Sequence, residues 1–349
     1  MCLAFRLFDS AGNPYAGVCL LYAVTLRTIH ASLGKNITHS TRLDTAKAEP
    51  LNGQQWLPYA VLAVAVLIVS SAAILVRFAQ REGASSLAIA AWRLTIAAAI
   101  LAPIVMQKCR PHIIAMTRRD WIWGSLAGVF LALHFAAWIS SLAYTSVASS
   151  TALVSTNPIW IALVSWLVFR ERLALWLMFG IAAAIGGSAL IFLSDAQHTT
   201  SAGGGNAFIG NVLAVIGSFT VCGYLLIGRT IRATLSLLPY IWLVYTAAAV
   251  TLMIATWLNG SALAGFSTLA WLCMIGLALG PQLLGHTAFN WALKHVSATF
   301  IAIAILGEPI GSALLAWFIF DERFAPLQLA GFCLLLTGIF LASRGEREP

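Results

Sequence analysis

Residues 142–192 read LAYTSVASSTALVSTNPIWIALVSWLVFRERLALWLMFGIAAAIGGSALIF, and residues 293–343 read LKHVSATFIAIAILGEPIGSALLAWFIFDERFAPLQLAGFCLLLTGIFLAS. Overlaid at a shift of 151, they share 14 identities in 51 ungapped positions. Two apolar helices would share leucines and alanines by chance. These stretches also share Pro158 with Pro309, Trp166 with Trp317, Glu171–Arg172 with Glu322–Arg323, Gly180 with Gly331 and Gly187 with Gly338. Upstream, at a shift of 152, Arg77 falls on Arg229, Gly124 and Gly128 on Gly276 and Gly280, and His134 on His286. The chain is therefore two copies of one unit, a pattern that sets the architecture before any single helix is assigned.

The unit is built for hydrocarbon. Hydrophobic residues make up 60% of the chain and charged residues 9%, where soluble domains carry about 25% charged residues. Spanning a bilayer takes about 20 apolar residues in a helix. The stretch from Trp121 to Phe169 contains no Asp, Glu, Lys or Arg and is long enough for two such helices, and so is that from Ala233 to Leu293. One helix per span predicts an all-α integral membrane protein of ten helices, over 56–76, 86–106, 121–143, 147–169, 174–194, 209–228, 236–258, 268–293, 298–320 and 325–343. The domains read as a tail over 1–55, a first five-helix repeat over 56–194, a linker over 195–208, a second repeat over 209–343 and a tail over 344–349. Five is odd, so the second copy enters the membrane the opposite way. Inverted repeats of this kind are characteristic of secondary transporters, whose substrate sites lie near the midplane.

The net charge of +8 does not indicate nucleic acid, because the basic residues sit at span ends rather than in one soluble domain. With the N-terminus inside, the inner loops and C-terminal tail hold 11 basic residues and the outer loops 3, namely Arg77, Arg81 and Arg323. That asymmetry places both termini in the cytoplasm. The six cysteines show no metal spacing, and free thiols are expected. No cofactor and no metal are expected. Within 1–55, the apolar run Ala16–Leu26 is too short to cross; an interfacial helix, a tail or a start site assigned too early all fit it.

Several motifs resemble the drug/metabolite transporter superfamily, in particular proteins with two EamA-type domains. They are Ala91–Trp92–Arg93 in the second helix, Asn157–Pro158 and Arg170–Glu171–Arg172–Leu173 in and after the fourth, Gly210–Asn211–Val212–Leu213–Ala214 and Gly228–Arg229 in the sixth, Gly307–Glu308–Pro309 and Asp321–Glu322–Arg323–Phe324 in and after the ninth, and Gly331 in the tenth. Their order across two copies is more specific than any one of them. The resemblance implies ten helices, cytoplasmic termini, and export or exchange of small metabolites such as amino acids or nucleotide-related compounds, in a bacterial inner membrane. The partners are then the lipid bilayer and a small-molecule substrate. A membrane-embedded enzyme or sensor is the alternative; the sequence offers no HExxH, phosphate-binding glycine loop or metal-ligand cluster in its favour.

Ionisable and polar side chains inside a span are functional candidates by default. Glu308 is the acid deepest in a predicted span, and its repeat equivalent is Asn157. A carboxylate there can accept a proton and couple it to transport, or contact substrate, or act as a neutral packing group beside Pro309. His134 and His286 are repeat equivalents. Gln282, His286 and Asn290 follow at i, i+4 and i+8 on one helix, and His134, Trp138, Ser141 and Thr145 form a similar stripe on another. Such stripes avoid lipid, so the expectation is that both line a central cavity where His134, Trp138, Gln282, His286 and Asn290 meet substrate; interhelical hydrogen bonding is the alternative. Arg93 can meet an anionic group, though such an arginine more often snorkels to the headgroups. Pro158 and Pro309 each free a carbonyl four residues back, which makes them hinge candidates or static bends. The GxxxG pairs read as helix packing. Glu171–Arg172 and Glu322–Arg323 read as local caps or pairs at helix ends.

Overall fold

A computed structural model of the chain describes residues 57–157, 159–160, 163–164, 175–197, 206–232, 235–292, 304–305 and 307–345. Among the described residues the secondary structure is helical, with no strand. In chain order the helices are α1 (Leu57–Ser70), α2 (Ala72–Arg81), α3 (Ser86–Lys108), α4 (Arg110–Ile114), α5 (Arg118–Ser141), α6 (Val147–Val154), α7 (Leu175–Gln197), α8 (Ala207–Ile231), α9 (Leu237–Leu258) and α10 (Thr268–Leu277). A π-helical segment, Ala278–His286, then leads into α11 (Thr287–Ala292), followed by α12 (Gly307–Phe320) and α13 (Pro326–Gly345). Among the described residues seven stretches are long and apolar enough to cross a membrane: Leu57–Arg81, Ser86–Lys108, Arg118–Ser141, Met178–Asp195, Ala207–Gly228, Leu237–Leu258 and Thr268–Phe289. Gly307–Phe320 and Pro326–Leu341 are shorter apolar helices. The expected fourth span lies largely outside the described residues beyond Val154.

The helices start where capping chemistry starts them. The side chains of Ser85, Ser146, Asn206 and Ser267 accept from backbone N–H groups in the first turns of α3, α6, α8 and α10. Thr117 and Asp120 form a reciprocal capping box at α5. Each satisfies a donor that the helix cannot satisfy itself. Bulky side chains such as Phe179, Phe208 and Phe318 are left exposed on the outer faces. Water would penalise that arrangement and lipid does not. The protein is an integral membrane protein.

Packing follows the repeat register. The two fifth helices, α7 and α13, pack on one another, as do α3 and α9, while α5 packs on α8 and α1–α2 on α10 and the π segment. The α7–α13 contact depends on two glycines. A Cβ at Gly331 would stand 2.9 Å from the Gly187 carbonyl oxygen, and one at Gly187 would stand 2.7 Å from the Gly331 carbonyl. Removing both side chains lets the backbones meet, the close approach that small residues give membrane helices.

Three expectations change. The first span runs past residue 76 to Arg81 and turns at Ser71, where Ser70 and Ser71 hydroxyls donate to the carbonyls of Val66 and Ile68 at 2.7 and 2.6 Å. Arg77 is therefore a buried helical residue and not an outer-loop cation. The fifth helix of the first repeat continues to Gln197, so Asp195 belongs to a helix rather than the linker. The eighth predicted helix is interrupted by the π segment around Pro281, which removes a backbone donor from an otherwise regular ladder. In the first repeat α6 ends at Val154, with a turn at Ser155–Thr156, just ahead of Pro158, which itself lies outside the described residues.

Candidate functional site

The broken elements meet at a cavity of about 260 Å³. The first span contributes Val69 and Ala72, α3 Arg93, α5 His134, Phe135 and Trp138, and α8 Val221, Tyr224 and Leu225. The π segment contributes Pro281 and His286, and α11 Phe289. Val154, Ser155 and Asn157 close one side, Ile305 and Glu308 another. Of the residues singled out by sequence, the structure thus brings His134, Trp138, His286, Asn157 and Glu308 to one space. Asn157 and Glu308, equivalent in the repeat, both line it, Asn157 just after the turn at Ser155–Thr156.

His134 is oriented by its neighbour. Its Nδ1 lies 2.8 Å from the Gly217 carbonyl oxygen. A carbonyl only accepts, so Nδ1 carries the hydrogen, and in the neutral ring Nε2 keeps its lone pair. The imidazole lies nearly parallel to the Trp138 ring, at 8° and 6.3 Å between centroids. Glu308 is positioned through its backbone: the Ser70 hydroxyl, which donates to the Val66 carbonyl at 2.7 Å, shares that one hydrogen with the Glu308 carbonyl at 3.3 Å, and Ser312 Oγ donates to the Ser70 carbonyl at 2.9 Å.

Arg93 departs most from the sequence reading. It does not snorkel. It is 1% exposed, lines the cavity and donates from Nε to Gln282 Oε1 at 2.9 Å. Its guanidinium carbon sits 4.1 Å from the Phe135 ring centroid and 5.9 Å from that of Trp138, a cation–π cradle. Gln282, expected at the substrate, instead holds Arg93 and also hydrogen-bonds with Tyr245, the residue at Arg93's position in the second copy. The side chain of Asn290 lies outside the described residues. The α5 stripe also divides: Ser141 bonds to the Trp138 carbonyl and to Ser150 Oγ, both at 2.6 Å, and Thr145 belongs to a second cluster.

That cluster sits where α7 ends and α8 begins, at the linker end of the bundle. Thr145 Oγ1 donates to Asn211 Oδ1 at 2.8 Å, and Asn211 Nδ2 donates to Asp195 Oδ2 at 2.7 Å. Gln328 Nε2 donates to Ser149 Oγ at 2.9 Å and Asp195 Oδ1 at 3.0 Å. Arg77 NH2 donates to the Thr145 carbonyl at 2.8 Å and lies 3.7 Å from Glu322 Oε1. Glu322 Oε2 in turn accepts from the Val147 N–H at 3.1 Å. Glu322 is therefore not a local cap; it joins the second copy to the first across 175 residues. Its register with Glu171 was visible in the sequence, but its partner was not. The Asp321–Arg323 pair beside it, at 3.7 Å, is local and exposed.

The EamA-like transporter family model matches this chain twice, over residues 56–193 and 208–344. The protein belongs to the EamA-like transporter family. Both copies of the EamA unit supply walls of the cavity and partners in the linker-end cluster. The protein is 23% identical to an uncharacterized transporter from Synechocystis sp., over 66% of this chain and 69% of that one. It is 32% identical to an uncharacterized transporter from Archaeoglobus fulgidus over 75 residues, which is 22% of this chain and 28% of that relative's length. A solved crystal structure aligns with a TM-score of 0.58 at 16% identity, covering 84% of this chain and 100% of that one; that likeness concerns the fold. As an EamA-family member the protein is a membrane transporter in contact with the lipid bilayer and a small-molecule substrate.

Proposed function

We propose that the protein is a secondary transporter that moves a small metabolite by alternating access of two inverted five-helix repeats, as an exporter or exchanger. In this reading the chain crosses ten times, with repeats over 56–197 and 209–343, a linker over 198–208 on the outer side, and the tails 1–55 and 344–349 in the cytoplasm of a bacterial inner membrane. His134, Trp138 and His286 contact the solute, Gln282 fixes Arg93 for it, and Asn290 extends the same helix. Glu308 carries a coupling proton opposite the non-titrating Asn157, and Pro158 and Pro309 act as hinges.

The observation that supports this best is the cavity itself. It lies between the two copies and collects their equivalent residues, His134 with His286 and Asn157 with Glu308, while a buried polar network ties the copies together at one end. Two equivalent halves around one space supply two equivalent conformations, one open to each side. The test is uptake and counterflow of a metabolite panel in proteoliposomes, with and without a pH gradient. At least one solute should exchange in counterflow. Catalytic turnover of a solute without any movement would overturn the reading in favour of an enzyme.

A further inference from the structure

Among its described lining residues the cavity holds one cation, Arg93, and one carboxyl, Glu308, and the two form no ion pair. Arg93 is the one arginine or lysine among its described lining residues. Among the described residues no carboxylate forms an ion pair with it. Its Nε is satisfied by Gln282, yet NH1 is buried with no hydrogen-bond partner. Trp138 Nε1, whose ring lies under the same guanidinium, is likewise buried without a partner. Leaving a buried donor unmade costs about 1–3 kcal/mol, and more when it is charged. A fixed, unpaired guanidinium in an aromatic cradle is matched by a planar anion that accepts from its free edge.

Resting on the transport reading of this cavity, we propose that its solute is a monocarboxylate with a compact apolar body, and that Arg93 and Trp138 Nε1 dock the carboxylate. A single guanidinium carries one positive charge and matches the one negative charge of a carboxylate better than the multiple charge of a phosphate ester. Among the other described lining residues Phe135, Val154, Val221, Leu225, Phe289 and Ile305 are apolar and accept a hydrocarbon body, while His134, Asn157, His286 and Glu308 are polar. A space of about 260 Å³ corresponds to roughly nine water molecules and favours a small solute. Gln282 is a positioning residue: it holds the guanidinium by Nε and leaves NH1 for the ligand.

The test is direct binding to the full chain purified in detergent, with 3-phenylpropionate, phenylalanine, 4-methylpentanoate, the amide of each, and phenyl phosphate. At least one carboxylate should bind more tightly than its own amide by about tenfold to a hundredfold, the span of a charge-assisted hydrogen bond, and more tightly than phenyl phosphate. Phenylalanine against 3-phenylpropionate tells whether the carboxylate comes with an amine; either result agrees with the docking. Arg93→Met should level carboxylate and amide, and Arg93→Lys should keep only part of the preference. Should Arg93→Met fail to fold, Trp138→Phe should narrow the same ratio. Amides binding as well as carboxylates, a preference for phenyl phosphate, no carboxylate binding at all, or a full preference surviving Arg93→Met would each overturn the proposal. The assay needs no gradient, so its failure is separable from that of transport. A carboxylate that binds and never exchanges contradicts transport alone; a solute that exchanges with no carboxylate preference contradicts the docking alone.

Discussion

Glu308→Gln should abolish accumulation against a gradient while leaving counterflow intact. The glutamine keeps the shape of the side chain and the backbone links from Ser70 and Ser312, but it cannot take up or release a proton. If one proton moves with each solute, a gradient of one pH unit sustains an accumulation of about tenfold, since tenfold corresponds to about 1.4 kcal/mol. In the variant that ratio should fall to roughly one, whereas exchange of labelled for unlabelled solute needs no net proton movement. The asymmetry of the repeat makes the experiment specific: Asn157, at the same position in the other copy, lines the same cavity and is already unable to titrate. Gradient-driven accumulation is read directly in proteoliposomes. Unchanged accumulation by Glu308→Gln would remove Glu308 from coupling.

Arg77→Met should loosen the linker end of the bundle. The Arg77 and Glu322 side chains are each 4% exposed, so removing the cation leaves a carboxylate buried with backbone donors alone. Breaking a buried pair from one side costs about 3–5 kcal/mol, enough to shift an equilibrium between sealed and open forms by roughly a hundredfold or more. The effect has a pH sign. Burial raises the Glu322 carboxyl above its usual range, against the pull of Arg77 and of the Val147 and Ala148 N–H groups. The sealed form therefore holds the proton more tightly than an open form in which Glu322 meets water, and lowering the pH favours sealing. Arg77→Met removes part of the downward pull and widens that difference. Its effect should be greatest where Glu322 is ionised and should shrink as pH falls through the raised value. Adding Glu322→Gln to Arg77→Met should restore much of the seal. Labelling of a cysteine placed at the buried Ser150, in a background without native cysteines, measures the opening. Equal labelling of wild type and Arg77→Met at alkaline pH would contradict the seal.

The parts of this molecule legible in sequence are those set by period and composition. Span positions, the two copies and the equivalence of His134 with His286 follow from hydrocarbon length and repeat register. What escaped depends on side-chain partners contributed by distant helices. Arg93 was read as snorkelling because its own helix offers no acceptor; Gln282, 189 residues away, provides it. Gln282 was assigned to substrate for the converse reason. Glu322 looked like a local cap since its partners Arg77 and Val147 belong to the other copy. The π segment could not be read from an i, i+4 stripe, because one face looks similar at either winding over so few residues.

The most direct measurement is two-sided accessibility of the cavity. A single cysteine at Ser155, which lines it, is exposed to a membrane-impermeant thiol reagent from either side of right-side-out and inverted vesicles. The account predicts labelling from the cytoplasmic side in the wild-type background and labelling from the outer side once Arg77→Met is added. Labelling confined to one side in both backgrounds, with solute still exchanging, would contradict an alternately exposed site between the two repeats.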